Sequence, residues 1–178
     1  MTHHILIPDS VDQRAVTLLK DAGMTVTAPG SMSRADALAA VPEADALVIR
    51  SATRVDAEMI EVASRLRVIA RAGVGVDNVD LVAATRRGIV VMNTPDGNTI
   101  STAEYTLGLM LALARHIPHS YNYLQSGRWE RKAFMGVELR GKTLGIIGFG
   151  RIGRAVAKRA QAFEMRVITH DPYITAET

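Results

Sequence analysis

Cysteine is absent from all 178 residues of this sequence. Disulfide bridges, thiolate-rich zinc sites and a cysteine nucleophile are therefore excluded. Aromatic residues are scarce, at 4% of the chain with a single tryptophan, and neither charge sign predominates, since the formal net charge is only +3. Such a balance does not indicate a nucleic-acid-binding protein, and it fits a small anionic ligand better.

Long hydrophobic runs are also missing. The most apolar run, TLGLMLALA, falls well short of the roughly 18 residues typical of a membrane span. The first ten residues, MTHHILIPDS, contain neither the basic segment nor the long apolar segment of a secretory signal. We therefore expect a cytoplasmic globular protein that does not bind a membrane.

Strand and helix patterns alternate over residues 1–97. Short apolar runs such as HILIPD and DALVIRS are separated by amphipathic segments, one with Ser33 as a possible N-cap and others ending at Gly23 or Gly88. This alternation predicts a parallel sheet with helices on both faces. We expect a flavodoxin-like α/β domain.

A second segment follows the turn signal DGN at residues 96–98. Ser101 and Glu104 match a capping box, which predicts the start of a helix over residues 101–115, and Pro118 is expected to end it. Leucines and a methionine surround this helix, so we expect it to be buried in a core or against a second copy of the chain. The polar stretch after it predicts a loop or a frayed helix.

Gly148, Gly150 and Gly153 form a G-x-G-x-x-G pattern between the apolar strand TLGIIG and a helix, and a further strand ends at Asp171. In this strand–turn–helix–strand context the pattern is typical of a dinucleotide site. Gly148 permits a tight turn, Gly150 lets a pyrophosphate approach the backbone, and Gly153 allows the helix to pack closely on the strand. The N–H groups at the helix N-terminus favour phosphate.

Asp171 has two possible roles. As an acceptor for the adenosine ribose hydroxyls it would repel a 2′-phosphate, which favours NAD over NADP. The alternative is that the three glycines only form a tight turn and that Asp171 caps the next segment.

Several motifs, in order along nearly the whole chain, resemble the D-isomer-specific 2-hydroxyacid dehydrogenases. The likeness is greatest to members that oxidise 3-phosphoglycerate to 3-phosphohydroxypyruvate in serine biosynthesis. It implies a substrate-binding domain over residues 1–97, an incomplete Rossmann NAD-binding domain over residues 98–178, and a homo-oligomer formed through the helix over residues 101–115. The motifs are RAGVGVDNVD, NTPDGNT, STAEYTLGLMLALAR, GRWERKAFMG and GKTLGIIGFGRIG.

The resemblance also implies how a small anionic substrate is bound. Arg50 matches the arginine that meets the phosphate or carboxylate end of the substrate, and Ser51 follows it in the same loop. The turn Gly73-Val74-Gly75 matches a loop whose N–H groups hold the substrate carboxylate beside the nicotinamide, so Val74 is expected to contact both ligands. A strand-to-helix turn that needs glycine for its backbone angles is an equally compatible interpretation.

The remaining matches concern the cofactor and the partner subunit. Arg151 and Ile152 are expected to contact the NAD pyrophosphate, and Asp171 the ribose. Arg131 lies in a segment that reaches the partner's active site in relatives. Its alternative is a solvated surface arginine.

In relatives, the histidine general acid/base, its glutamate and a substrate-polarising arginine all follow the ribose acid. This chain ends seven residues after Asp171. We therefore expect a truncated chain without these catalytic residues, inactive alone. The alternative function is a non-catalytic flavodoxin-like binding or dimerisation module with a vestigial nucleotide-binding half.

The histidines of the chain do not replace the missing catalytic residue. His116 and His119 have a spacing that suits a metal ion, but no third ligand is evident, so no metal site is expected. His3 and His4 lie at the terminus, and His170 lies beside the expected ribose acid.

Overall fold

Short aliphatic strands alternate with helices in a computed structural model of the chain, which describes residues 2–174. The chain divides into two units, Met1–Gly97 and Asn98–Thr178. Each unit has its own sheet.

The first unit follows the alternation predicted from the sequence. Its described strands and α-helices are, in chain order, β1 (His4–Leu6), α1 (Gln13–Asp21), β2 (Thr25–Thr27), α2 (Arg34–Ala40), β3 (Ala46–Ile49), α3 (Ala57–Val62), β4 (Val68–Arg71), α4 (Leu81–Arg86) and β5 (Val90–Asn93). Over residues 2–97 the strands form one parallel sheet in the order β2-β1-β3-β4-β5. This is the strand order of a flavodoxin-like sheet, so the predicted fold class is confirmed.

The predicted caps begin and end several of these helices. Ser33 caps α2 by accepting a hydrogen bond from the Asp36 N–H at 3.2 Å. Asp56, for which no cap was predicted, caps α3 in the same way. Gly23 follows α1 with a φ of +80°, in the left-handed region that favours glycine.

The two faces of this sheet are packed differently. On one face, α2, α3 and α4 cover a core that includes Leu47, Ile49 and Ile69. On the other face, α1 covers Ile5 and Ile7. The buried core therefore supports the middle strands, whose carboxyl ends carry the loops described below.

The second unit begins with two helices and continues with a strand–helix–strand unit. Its described elements are α5 (Thr99–Ala114), α6 (Ile117–Gln125), β6 (Thr143–Ile147), α7 (Arg151–Ala162) and β7 (Arg166–His170). Over residues 98–174, β6 and β7 form a two-stranded parallel sheet. Ala103 and Leu107 of α5 pack against Val156 of α7 in a small core. The predicted strand–helix–strand arrangement is therefore confirmed, and its assignment to a Rossmann domain stays a prediction.

The predicted capping box of α5 is wrong. The helix begins at Thr99, so Ser101 lies inside its first turn and donates its hydroxyl to the Asn98 carbonyl at 3.1 Å. Glu104 instead lies 3.5 Å from the guanidinium of Arg159 on α7. The extra turn at the N-terminus displaces both side chains from capping positions.

The predicted helix stop at Pro118 is also wrong. The end of α5 lies at Ala114, and His116 follows in a left-handed conformation with a φ of +54°. Pro118 occupies the first turn of α6. A backbone N–H at that position would have no acceptor within the helix, so proline removes no helical hydrogen bond there. About a third of the stretch predicted as a loop or frayed helix, residues 120–136, is therefore regular helix, up to Gln125.

In the part of the chain that the structure describes, no helix is long and apolar enough to cross a membrane.

Candidate functional site

A buried carboxylate fixes the loop that follows β3. Asp9, only 5% exposed, accepts hydrogen bonds from the Arg50 N–H at 2.5 Å and from the Thr53 hydroxyl at 2.5 Å. The amide of Asn78 donates to the carbonyls of Arg50 at 2.7 Å and Thr53 at 2.6 Å. The backbone on both sides of Ser51 is thus held, while the side chains of Arg50 and Ser51 remain exposed.

The Arg50 guanidinium is available to an anion. Its one hydrogen bond among residues 2–174 is a long one, 3.4 Å from Nη1 to the Ser10 carbonyl. An arginine offers five N–H donors, so most of them face solvent. A planar donor set of this kind suits a phosphate or a carboxylate.

The turn after β4 is held by its carbonyl oxygens. Three consecutive carbonyls in this turn each accept from a different residue. The pairs are Gly73 with the Thr94 N–H at 2.9 Å, Val74 with Asn93 Nδ2 at 2.6 Å, and Gly75 with the Arg71 guanidinium.

The N–H groups of this turn consequently point the other way. In a planar trans peptide, the carbonyl and the following N–H lie on opposite sides. The N–H groups of Val74, Gly75 and Val76 therefore face away from the donors that hold the turn. Within residues 2–174 none of the three has an acceptor. Successive N–H groups of this kind form an anion-binding concavity.

Both glycines of the turn also have a packing reason. A Cβ on Gly73 would lie 2.8 Å from Nη1 of Arg71, and one on Gly75 would lie 2.9 Å from Oδ1 of Asp77. Glycine leaves room for the guanidinium beneath the turn. Neither glycine has a positive φ, so the interpretation that the turn needs glycine for its backbone angles is wrong, and the structural reason for both glycines is the space that they leave.

The glycine loop after β6 combines a tight turn with open space before the helix that follows. Gly148 has a φ of +90°, and a Cβ on Gly153 would overlap the Gly148 carbonyl oxygen. A Cβ on Gly150 would meet nothing within 4 Å, so the space before it is open. Gly150 gives α7 no side-chain cap, and the first N–H groups of a helix have no acceptors within the helix itself. A phosphate oxygen fits this opening.

Asp171 is joined to the same loop. Its carboxylate accepts the Phe149 N–H at 2.6 Å and the Tyr173 N–H at 2.8 Å. These two donors, the Tyr173 N–H first, hold the pKa of Asp171 below its ordinary value. The ionised carboxylate keeps lone pairs for further hydroxyl donors. Capping of the next segment and ribose binding can therefore coexist at Asp171.

Arg131 belongs to the second unit and is exposed. It precedes a short 3-10 turn, Lys132–Phe134, and lines a cavity of about 350 Å³ with Tyr123 and Trp129. Its expected contact with a partner subunit remains a prediction.

His3, His4, His116 and His119 lie apart from these loops within each unit, whereas the backbone carbonyl of His170 accepts the Gly148 N–H at 2.8 Å. The His4 ring lies 3.0 Å from the Glu43 carbonyl and 2.9 Å from the Thr27 hydroxyl. His116 and His119 lie with ring centroids 6.5 Å apart at the junction of α5 and α6. Among residues 2–174 no three His, Cys, Asp or Glu side chains are grouped to hold a metal ion.

Sequence reasoning missed the residues that hold the two loops of the first unit. Each of them lies at the carboxyl end of a strand or in the loop that follows that strand. In parallel sheets such positions gather at one edge, and this rule could have found them. The missed residues are Asp9, Arg71, Asn78, Asn93 and, through its backbone N–H, Thr94.

The matches to known proteins extend over nearly the whole chain. The family model of the D-isomer specific 2-hydroxyacid dehydrogenase catalytic domain matches residues 5–178. The D-3-phosphoglycerate dehydrogenase of Archaeoglobus fulgidus is 51% identical over 173 residues, which make up 97% of this chain and 33% of that protein. The chain thus spans about a third of the length of the curated relatives it matches.

Solved structures agree with the fold. A crystal structure of a protein from Thermus thermophilus has a TM-score of 0.90 at 39% identity, covering 97% of this chain and 57% of that one. An NAD⁺-bound 3-phosphoglycerate dehydrogenase of Entamoeba histolytica has a TM-score of 0.76 at 30% identity, covering 99% of this chain and 56% of that one.

Proposed function

Because this chain belongs to the D-isomer-specific 2-hydroxyacid dehydrogenase family, we propose that it carries the substrate-binding and NAD-binding parts of an enzyme that oxidises 3-phosphoglycerate. The reaction transfers a hydride from C2 of the hydroxy acid to NAD and yields 3-phosphohydroxypyruvate. Relatives named D-3-phosphoglycerate dehydrogenase support this substrate.

The observation that carries the proposal is a pair of anion-binding elements on neighbouring strands. Ile49 at the end of β3 lies opposite Arg71 at the end of β4, so the loops that follow them share one edge of the sheet. Asn78, which follows the glycine turn, donates to the Arg50 carbonyl and links the loops. A substrate with an anion at each end matches this pair. Arg50 and Ser51 would meet its phosphate, and the Gly73–Gly75 turn its carboxylate.

NAD fits the second unit. The N–H groups of Gly150, Arg151 and Ile152 would face its pyrophosphate, and Asp171 would accept the ribose hydroxyls. When bound, NAD supplies the hydride acceptor. The negative charge of Asp171 opposes a 2′-phosphate, which is why we propose NAD and not NADP. The NAD⁺-bound relative supports this choice.

Oxidation at C2 also releases the hydroxyl proton, which needs a general base. No histidine of this chain is assigned that role. We therefore propose that the 178-residue polypeptide binds NAD and substrate but does not turn them over by itself.

The proposal also includes self-association of the chain through α5. Leu109 and Leu113 of α5 are 54% and 79% exposed, whereas Leu107 on the same helix is buried. Burying one leucine side chain contributes about 1.5–3 kcal/mol. We propose that α5 packs against a second copy of the chain, with Arg131 and its neighbours over residues 127–136 reaching the partner.

Calorimetry and NADH fluorescence together test the proposed function. The purified polypeptide should bind NAD and 3-phosphoglycerate and should produce no NADH from them. A non-catalytic module with a vestigial nucleotide-binding half would bind neither ligand. Steady NADH production by the 178-residue polypeptide, abolished by Arg50→Ala, would show that a catalytic base is present after all.

A further inference from the structure

Asn93 ends strand β5 and reaches sideways to the turn after the neighbouring strand. The register of β4 and β5 sets Asn93 opposite Arg71, two residues before Gly73. From there its Nδ2 donates to the Val74 carbonyl at 2.6 Å. The middle peptide of the turn is therefore fixed by a side chain that lies 19 residues away in sequence.

This contact fixes one particular N–H. The Val74 carbonyl and the Gly75 N–H belong to the same peptide plane and point in opposite directions. Holding the carbonyl towards Asn93 turns the Gly75 N–H outward. Glycine flanks Val74 on both sides, so the free turn would sample many backbone conformations. The hydrogen bond selects the one in which the N–H groups of the turn are presented together.

The other two donors of the turn differ from Asn93. The Thr94 hydroxyl lies 3.3 Å from the Gly73 carbonyl, but the Thr94 backbone N–H already holds that carbonyl at 2.9 Å. Arg71 adds a positive charge, so replacing it would alter the electrostatics of the turn as well as its shape. Asn93 is neutral, and its donor contact with Val74 is not duplicated within residues 2–174.

We infer that Asn93 is a positioning residue for carboxylate binding, acting through the Val74 carbonyl without touching the ligand. This inference rests on the proposed role of the turn as the carboxylate site. It assigns to Asn93 an effect on ligand affinity that exceeds its effect on folding, because its side chain is exposed.

The test uses glycolate, the simplest 2-hydroxy acid, and the amide signals of Val74 and Gly75 in ¹H–¹⁵N spectra. The parent chain is compared with Asn93→Leu, which keeps the approximate size but removes the donor, and with Thr94→Val, which removes only the duplicated hydroxyl. Asn93→Ala gives the same comparison if the leucine variant does not fold. Thermal unfolding of each variant is measured alongside.

We expect glycolate to shift both amides in the parent chain. Losing one such hydrogen bond should weaken glycolate about five- to tenfold in Asn93→Leu. Thr94→Val should stay within about twofold of the parent, because its backbone donor remains. Both variants should unfold at temperatures close to that of the parent chain.

Three results would overturn the inference: unchanged glycolate affinity in Asn93→Leu, an equal loss in Thr94→Val, or no shift of the Gly75 amide in the parent. Failure of the proposed function has a different signature. In that case the affinity for glycolate would depend on Asn93 as expected, but 3-phosphoglycerate would bind no more tightly than glycolate.

Discussion

Asp171 and Phe149 are joined by a 2.6 Å hydrogen bond from the Phe149 N–H to the carboxylate. Phe149 stands between Gly148 and Gly150, so the expected ribose acceptor also holds the glycine loop. On the other side of Phe149, the Arg154 guanidinium donates to its carbonyl at 3.1 Å and lies 4.9 Å from the centre of its ring. The shape of the glycine loop therefore depends on the same carboxylate that we propose to select the cofactor.

Asp171→Ala should weaken NAD binding and narrow the preference for NAD over NADP. The loss of NAD affinity should be about tenfold, because a charge-assisted acceptor is removed and the Phe149 N–H is released. NADP should gain little, since the loosened loop penalises both cofactors. Calorimetric titration with each dinucleotide measures the ratio.

The matched control is Asp12→Ala, which removes an exposed carboxylate that also accepts a backbone N–H, from Arg14 at 2.9 Å. It should leave both affinities unchanged. Tighter binding of NADP than of NAD by the parent chain would contradict the role of Asp171.

Replacing either of two helical glycines by alanine should change the free energy of unfolding in opposite directions. In Gly153→Ala the new Cβ overlaps the Gly148 carbonyl oxygen, so we expect a loss of about 1–3 kcal/mol in the free energy of unfolding, together with loss of NAD binding. In Gly108→Ala the Cβ meets nothing within 4 Å, and the better helix former should add about 0.5–1 kcal/mol. Urea unfolding checks both signs. A stabilised Gly153→Ala would disprove the close packing at the glycine loop.

Asp45 should make stability depend on pH in the acid range. The His4 N–H at 2.7 Å, and then Arg65, hold the pKa of Asp45 below its ordinary value of 3.8. A carboxyl with a depressed pKa stabilises the fold above its unfolded-state pKa and loses that contribution as the pH falls through its folded-state pKa. Asp45→Asn should therefore unfold at lower urea than the parent at neutral pH.

The same two proteins should become equally stable once the pH is below the folded-state pKa of Asp45. Glu61→Gln, in which an exposed acid 3.9 Å from Arg87 is neutralised, is the control and should change little at neutral pH. A constant difference between Asp45→Asn and the parent at all pH values would show that ionisation of Asp45 is not involved.

Charges on α5 should weaken the proposed self-association. Leu109→Lys and Leu113→Lys each place an ammonium on the exposed side of the helix and should shift the polypeptide towards monomer in light scattering over a dilution series. Leu18→Lys, at a leucine that is 70% exposed on α1, should not. A monomeric parent, or an oligomer indifferent to both lysines on α5, would contradict the proposed contact.

Local patterns sufficed for much of the fold. Alternating strands and helices predicted the parallel sheet, and Ser33 and Gly23 marked helix ends because their roles depend only on near neighbours. The pattern at Ser101 misled because it does not reveal whether the residues before it join the helix. Pro118 misled because proline can follow one helix or begin the next.

The candidate site was predictable only where one segment forms it. The loop from Gly148 to Gly153 is contiguous, and its sequence predicts its shape. The hydrogen bonds from Thr53 to Asp9 and from Asn93 to Val74 span 44 and 19 residues. These bonds depend on which strands are neighbours in the sheet, and local sequence patterns do not determine the strand order.

Discrimination between 3-phosphoglycerate and D-glycerate tests the proposed substrate most directly. The two ligands share the carboxylate and the hydroxyl but differ in the phosphate that Arg50 is proposed to meet. Calorimetry on the parent chain should show 3-phosphoglycerate binding about tenfold or more tightly, the value of a charge-assisted contact, and Arg50→Ala should lose most of this preference. Equal affinities in the parent chain, or a preference unchanged in Arg50→Ala, would contradict the account.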